Sequence, residues 1–549
     1  MSARKESIVV HQSADVKADD SSATLPAYNG KVDDRAVNFS SVNVFDDDEL
    51  AQHYMPREDY EGRHRFDPKF QWTAEEEKKL VRKIDKRIMA FVCVMFFALQ
   101  LDRGNINQAL ADNFLTDNGF NTNDYNYGQT IFLVSFLSAE LPSQVISKRL
   151  GPDNWIPVQM VLWSIVATAQ AWIGGNKGAY FATRCLLGLL EGGFIPDTVL
   201  YLSYFYNTAE LPVRLSYFWT SYQMTNVISA FLAFGILRLR GVNGWHGWQW
   251  LFALEGILTL FIGIFSYFYL PPSPTQTASY FRGKNGWFSE REETIMVTRI
   301  LRDDPSKGDM HNRQGLTFRK MWRTLKDFDL YPIYIVGFTW LIPNAPPSSY
   351  LTLIVRSMKF DTYTTTLLTV PSSILFIIQL LLWTRISEHF NDKTIISMIN
   401  QVWNVTLLLA LNFMPETANV WARFAVLTML VGHPYLHAVI VAWTSRNAGS
   451  VRTRTIASAF YNMSVQVGSI IGSNIYREDD KPFYHRGNRV LLGIACMNFF
   501  VFIGVRFYYV KRNAWKKARW TAMTPKEQQE YLRNTTDQGN KRLDFRFAY

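Results

Sequence analysis

The sequence predicts an all-α membrane protein of twelve transmembrane helices arranged as two halves of six. Three observations carry that expectation. From about Ile88 to Val510 the chain is a succession of apolar blocks, each about 20 residues long and so able to cross the ~30 Å hydrocarbon core as one helix. A polar stretch, 271–330, divides the blocks six and six. Lysine and arginine collect in the loops on one side of the blocks, as the positive-inside rule expects for the cytoplasmic face. Averages hide this pattern: across 549 residues the chain is only 48% hydrophobic, because its polar ends dilute an apolar middle.

Residues 1–86 read as a cytoplasmic N-terminal tail, Ser/Asp-rich and with an acidic run at Asp46-Asp-Asp-Glu49. Its low hydrophobicity predicts that most of it is disordered. Its end, Trp72–Ile84, reads as a helix lying on the membrane surface: Thr73 caps it, Glu76 follows three residues on, and apolar positions recur at helical spacing. The N-terminal half, 87–270, holds spans at roughly 88–110, 126–147, 155–174, 178–204, 214–237 and 248–270. The central loop, 271–330, opens with Leu270-Pro-Pro-Ser-Pro274 and carries a helix at Ser289–Leu301 that Ser289 caps. The C-terminal half, 331–510, holds spans at roughly 331–355, 363–385, 394–412, 421–443, 453–475 and 489–510, and 511–549 form a cytoplasmic tail. An even number of spans puts both termini on one side. Two sets of six joined by a long loop match the two-halves architecture of the major facilitator fold.

Charges inside apolar blocks are the strongest pointer to function. A charge at mid-bilayer costs at least ~2.5–3.5 kcal/mol, so such residues face a protein interior or an aqueous path. Asp102 and Arg103 stand in the first span, followed by Asn105, and Arg184 and Glu191 stand in the fourth, two helical turns apart on one face. An arginine fork gives a carboxylate two parallel charge-assisted hydrogen bonds, and a buried carboxylate beside it is a proton acceptor that an arriving anion can control. The reading is therefore anion binding by Arg103 and Arg184, with proton transfer by Asp102 and Glu191; the competing reading is an ion pair that only holds helices together. Glycines 188, 192 and 193 thin the fourth span for close helix approach. Uncharged polar groups inside other spans, Tyr222, Gln223 and Asn226 in the fifth and Asn462 and Gln466 in the eleventh, offer hydrogen bonds to substrate or between helices. Glu140 and Glu255 are read as structural.

Several classes are set aside. A net charge of +10 suits nucleic acid, but no recognition module is present and the basic residues sit beside apolar spans. His433 and His437 are four apart, and without a third ligand they do not make a metal site. Cys93, Cys185 and Cys496 are far apart, fit no zinc or redox spacing and read as small core residues. Sequons at Asn38, Asn404, Asn462 and Asn534 all fall on cytoplasmic or intramembrane positions. No phosphate-binding loop, zinc-protease or serine-hydrolase motif occurs, so neither enzyme chemistry nor a built-in ATP drive is expected. No cofactor is expected. The long N-terminal tail motivates one alternative, a transporter-like nutrient sensor that signals through its tails.

Four segments, Leu101-Asp-Arg-Gly-Asn-Ile-Asn107, Arg184-Cys-Leu-Leu-Gly-Leu-Leu-Glu191, Gly247-Trp-Gln-Trp-Leu-Phe252 and Arg477-Glu-Asp-Asp-Lys-Pro-Phe-Tyr-His-Arg-Gly-Asn488, resemble the fungal allantoate permease family, anion:cation symporters of the major facilitator superfamily. The likeness covers about 80–510, and the central-loop segments Trp287–Glu293 and Arg302–Asp309 look closest to the pantothenate transporter-like branch. The resemblance implies proton symport of a small organic anion, such as a carboxylate vitamin or an allantoate-like metabolite, at the plasma membrane by a monomer. It also implies anion-binding roles for Arg103 and Arg184 and a coupling role for Glu191, with Asp102 matching the aspartate that precedes the first-span arginine in the sugar-acid branch. The superfamily's usual motif between spans two and three is present only as Ser147–Trp155, with Arg149 and Asp153 as substitutes.

Overall fold

Side chains that recur at helical spacing and bury one face build nearly every element, and no strand occurs among the described residues. The computed structural model describes residues 45, 55–56, 58, 60–207, 210–303, 325–390, 392–415, 417–448, 451–534 and 539–549, the side chains of a few helical residues excepted. The expected disorder up to residue 44, the sequon at Asn38, the acidic run at 46–49 and the loop segment 304–324 lie outside them.

The end of the N-terminal tail is folded rather than disordered. Helix α1 (Ala74–Ile84) starts with the expected capping box between Thr73 and Glu76, and its apolar face, Leu80, Val81 and Ile84, is buried. It docks on the central-loop helix α9 (Glu290–Asp303) through Lys83–Glu292 at 2.7 Å and Arg291–Glu76 at 2.8 Å. Arg65 adds bonds to Glu290 and Glu293.

Between α1 and α9 run α2 (Ala90–Ala109), α3 (Thr122–Leu150), α4 (Pro152–Ala169), α5 (Lys177–Glu191), α6 (Phe194–Leu202), α7 (Leu211–Ile236) and α8 (Gly247–Tyr269). After α9 come α10 (Tyr331–Thr339), α11 (Ala345–Ser349), α12 (Leu351–Ser357), α13 (Thr362–Leu367), α14 (Val370–Phe390), α15 (Lys393–Phe413), α16 (Val420–Val431), α17 (His437–Ala448), α18 (Val451–Gly472), α19 (His485–Thr521) and α20 (Pro525–Asn534). Six stretches among the described residues are helical, long and apolar enough to cross a membrane: 122–147, 177–202, 247–269, 362–387, 393–413 and 485–521. The remaining expected spans coincide with helices that are shorter, interrupted or more polar. The first carries Asp102, Arg103 and Asn105, the seventh breaks into α10, α11 and α12, and the tenth breaks between α16 and α17. The last span does not stop near 510: α19 continues to Thr521, into what was expected to be tail.

The two halves repeat one packing plan. In the first, α4 pairs with α8, α2 with α7, and α3 with α5; in the second, α15 pairs with α19, α10 with α18, and α14 with α16. The halves meet through α7 against α14 and α3 against α18. Large apolar side chains such as Phe261, Phe265, Phe500 and Phe507 stay exposed on the outside of the bundle, the surface a lipid environment accepts at no cost. Cys496 also faces outward rather than into the core, and all three cysteines are free.

Breaks in α10–α11 and α16–α17 leave backbone carbonyls without helical partners inside the bundle, where each unpaired group is costly. Amide side chains supply them. Asn498 donates to Thr339 O at 2.9 Å, Gln401 to Trp340 O at 3.1 Å and Asn400 to Pro434 O at 2.8 Å. Asn404 links Asn344 and Asn400 through bonds of 2.8–3.0 Å. All five amides of this ladder are buried, so the Asn404 sequon is structural.

At the end opposite α1 the halves are joined by hydrogen bonds. Asn126 donates to Tyr476 O at 2.7 Å and accepts from Tyr350, the Thr122 backbone N–H donates to Glu478 at 2.6 Å, and Asn474 donates to Thr130 at 2.7 Å. The Arg477–Asn488 motif builds much of this seal. Asp480 accepts from the backbone of Arg486 and Gly487, Asn488 accepts from Tyr476 at 2.6 Å, and the rings of Tyr476 and Tyr484 stack 4.4 Å apart.

Candidate functional site

Close packing of α5 on α3 sets the charged centre. A Cβ on Gly188 would come within 2.4 Å of Phe132 O and one on Gly192 within 2.4 Å of Phe136 O, so only glycine lets the two backbones approach this far. The same approach stacks the rings of Phe132 and Phe136 under two guanidinium groups. Arg184 lies 4.6 Å from the Phe132 ring centroid and Arg103 4.7 Å from that of Phe136, a cation–π arrangement that holds the arginines in place without neutralising them.

Arg103 reaches from α2 to Glu191 at the end of α5, Nε to Oε2 at 3.1 Å. The Glu191 side chain is fully buried and the Arg103 side chain is 26% exposed. Arg184, also fully buried, does not bond Glu191: it donates one hydrogen bond to Gln129 at 3.1 Å, while its Nε and Nη1 have no partner. Arg103 Nη2 and Glu191 Oε1 are likewise unpartnered. The centre therefore holds two fixed cations against one carboxylate, with guanidinium N–H groups to spare. That excess of positive charge is suited to an anion.

The other candidates divide. Tyr222 is half-buried on α7, the helix through which the first half meets α14. Gln223 is buried and accepts a hydrogen bond from Asn226 at 3.0 Å. Asn462 and Gln466 on α18 are half-buried, and the side-chain oxygen of each has no partner. Asn105 is buried with neither amide atom bonded. Asp102 does not join Arg103. One residue apart on a helix, the two side chains diverge, and Asp102 turns to α8, where Thr259 donates to it at 2.6 Å.

Sequence reasoning missed the aromatic wall opposite the arginines. Tyr435, His437 and Trp340 stack with centroids 5.7 and 6.4 Å apart, and Trp219 of the first half reaches His437 at 5.8 Å. The helix break places His433 outside regular helix, so its spacing from His437 is not an i, i+4 pair. No metal-binding cluster occurs among the described residues. A Gly-His-Pro run inside an apolar block was the available signal for the break. Of the gate substitutes, Arg149 is exposed and Asp153 is buried near Arg282.

Two helical halves around a charged, partly exposed centre define a membrane transporter of small solutes and not an enzyme. Residues 92–473 match the family model described as Major Facilitator Superfamily, and the chain belongs to that superfamily. It is 46% identical over 514 residues to the uncharacterized transporter YIL166C of Saccharomyces cerevisiae, covering 93% of this chain and 94% of that one. It is 24% identical over 417 residues to the major facilitator-type transporter hxnP of Emericella nidulans, covering 75% and 81%. Among solved structures, a bacterial homolog of the human lysosomal transporter Spinster, inward-facing, superimposes with a TM-score of 0.58 at 10% identity, covering 77% of this chain and 97% of that one. The xylose transporter XylE of E. coli in a partially occluded inward-open conformation gives 0.56 at 13% identity, covering 75% and 96%. These likenesses establish a multi-pass, secondary-active transporter fold and leave the narrower allantoate or pantothenate branch to the proposal that follows.

Proposed function

We propose that the protein is a proton-coupled symporter that imports a small organic anion, a pantothenate-like carboxylate vitamin or an allantoate-like metabolite, across the plasma membrane. In this reading twelve crossings place both termini in the cytoplasm, and the seal at the Arg477–Asn488 end is the outer gate. A monomer suffices, since the charged centre is built within one chain.

The Arg103–Glu191 pair, beside an Arg184 with two unbonded guanidinium nitrogens, is the observation that supports the reading. An entering anion competes with Glu191 for Arg103, because a bidentate arginine–anion pair uses the N–H groups that are vacant. Once Arg103 turns to the substrate, Glu191 is left as a buried charge without its hydrogen-bonded partner, and taking a proton removes that penalty. Anion and proton thus favour each other's binding, which is the requirement for symport. On release of the anion, Arg103 returns to Glu191 and expels the proton.

Reconstituted protein with an imposed inward proton gradient tests this. Labelled pantothenate or allantoate, challenged by a panel of carboxylates and sulfonates, accumulates only while the gradient lasts, and a protonophore abolishes accumulation. Glu191→Gln, locked in the neutral form, still exchanges substrate across the membrane but no longer accumulates it. Gradient-independent accumulation by the unaltered protein, or undiminished driven uptake by Glu191→Gln, contradicts the coupling.

A further inference from the structure

Two asparagine side chains grip the segment 539–549 by its backbone. Asn513 of α19 spends both ends of its amide on one residue, accepting from Phe547 N at 2.8 Å and donating to Phe547 O at 2.9 Å. Asn447 of α17 does the same to the next residue, accepting from Ala548 N at 2.8 Å and donating to Ala548 O at 3.0 Å. The Trp443 indole gives that carbonyl a second donor at 2.8 Å. In extended backbone the N–H and C=O of one residue point the same way, and those of the next point the opposite way. The segment therefore lies between α17 and α19 as a strand that each helix holds from one side. The Phe547 ring is buried, stacked on Tyr509 at 5.1 Å and beside the Lys516 ammonium at 4.8 Å. Further along, Lys516 donates to Arg542 O at 2.9 Å, Lys541 pairs with Asp329 just before α10 at 2.9 Å, and Tyr549 O accepts from the backbone N–H of Lys393 at the start of α15 at 3.2 Å.

We propose that Trp443, Asn447 and Asn513 form a peptide-binding site, that its ligand is the chain's own Phe547–Ala548 segment, and that an occupied site locks α17 against α19. Amide side chains that pair both backbone groups of a residue act as the edge of a sheet does, so the site takes an extended peptide, and the face of Tyr509 selects an aromatic ring beside the gripped backbone. What the lock controls follows from the shape of α17. It begins at His437, which stacks on Trp340 and Tyr435 and meets Trp219 of the first half, directly after the non-helical stretch 433–436. Asn447 stands near its other end, about 15 Å along the helix. Non-helical backbone at one end is a place where a helix pivots, and the segment holds the other end still. With the site empty, α17 swings at 433–436 and carries His437 with it. The consequence for transport, that docking of the segment restrains the aromatic wall opposite the arginines, rests on the reading under Proposed function.

Hydrogen exchange of the full chain in lipid nanodiscs, without substrate, reads the lock. Ala548→Pro removes the N–H that Asn447 accepts, and amides of 433–448 then exchange about tenfold faster, the effect of one or two lost hydrogen bonds. Excess synthetic peptide Leu543–Tyr549 added to this variant restores their protection, and the same peptide carrying Phe547→Ser does not. Asn513→Leu, altered in the site and not in the ligand, loses the protection and is not rescued by the peptide. Unchanged exchange in Ala548→Pro, protection that the peptide fails to restore, or rescue of Asn513→Leu each overturns the proposal. Should Ala548→Pro not fold, Phe547→Ser in the full chain is the milder variant for the same rescue. Neither an anion nor a gradient enters this measurement. A protein that accumulates no anion under a proton gradient therefore refutes the symport reading, while the peptide site is judged on exchange alone.

Discussion

Removing the Arg103 guanidinium strands a fully buried carboxylate, and that makes Arg103→Ala the most informative stability experiment on the charged centre. The Arg103–Glu191 contact is 3.1 Å with Glu191 wholly enclosed. Coulomb's law at an effective dielectric of 20 puts the attraction at about 5 kcal/mol as an upper bound. The arginine side chain is 26% exposed, so water screens its end of the pair and a loss of about 3 kcal/mol is expected, at the lower edge of what breaking buried pairs costs. That is roughly a 150-fold fall in the folded-to-unfolded ratio. Much of the loss is the penalty of the stranded Glu191 and not the value of the bond. Arg103→Ala combined with Glu191→Gln should therefore recover about 2 kcal/mol of it, a coupling measurable as a double-mutant cycle. The assay is reversible unfolding in mixed detergent micelles, following tryptophan emission, on all four proteins. Strict additivity of the two substitutions refutes the claim that the two side chains depend on each other.

Other outcomes follow from the packing. Gly188→Ala places a methyl group 2.4 Å from Phe132 O; α5 must move off α3, costing about 1–3 kcal/mol and pulling Arg184 from Gln129, so a thermal-unfolding scan and a substrate-binding titration both show a loss, whereas Gly235→Ala, with open space at its Cβ, leaves both unchanged. Asn400→Leu removes the donor to Pro434 O and the acceptor for Asn404 and Gln401, so a destabilisation of about 2–4 kcal/mol is expected from the unpaired groups, checked in the same unfolding assay. Outside the membrane, Arg291 and then the Thr73 backbone N–H hold the Glu76 carboxyl down at about 2 from an ordinary 4.5. A depressed acid stabilises above its unfolded value, so docking of α1 on α9 is full above pH 4.5, weakens as pH falls toward 2, and is less pH-dependent in Arg291→Ala. With Arg291 more than half exposed, water screens the pair and the effect is small; protection of α1 amides from hydrogen exchange measures it.

Helix positions were legible because apolar periodicity is a local signal. Thr73 and Ser289 announced their helices through capping residues three positions from a glutamate, and both caps are formed. Helix breaks were not legible in the same way. The block 331–355 reads as one span in spite of Pro343, Asn344, Pro346 and Pro347 inside it, and what supports the unwound Trp340–Asn344 backbone is the amides of α15 and α19, far along the chain. The charged residues of the centre could be found from sequence, since a charge in an apolar block is conspicuous, but their partners could not. The spacing sets Glu191 two turns from Arg184 on one helix face, yet the bond goes to Arg103 on another helix. Asp102 and Arg103 are neighbours in the chain and point into different interfaces.

Counterflow and gradient-driven uptake, measured side by side in proteoliposomes for the unaltered protein and Glu191→Gln, test proton–anion coupling most directly. Both proteins should exchange labelled anion at similar rates, and only the unaltered protein should concentrate it when protons flow inward. Equal accumulation by the two proteins would contradict the coupling role of Glu191 and with it the proposed symport mechanism.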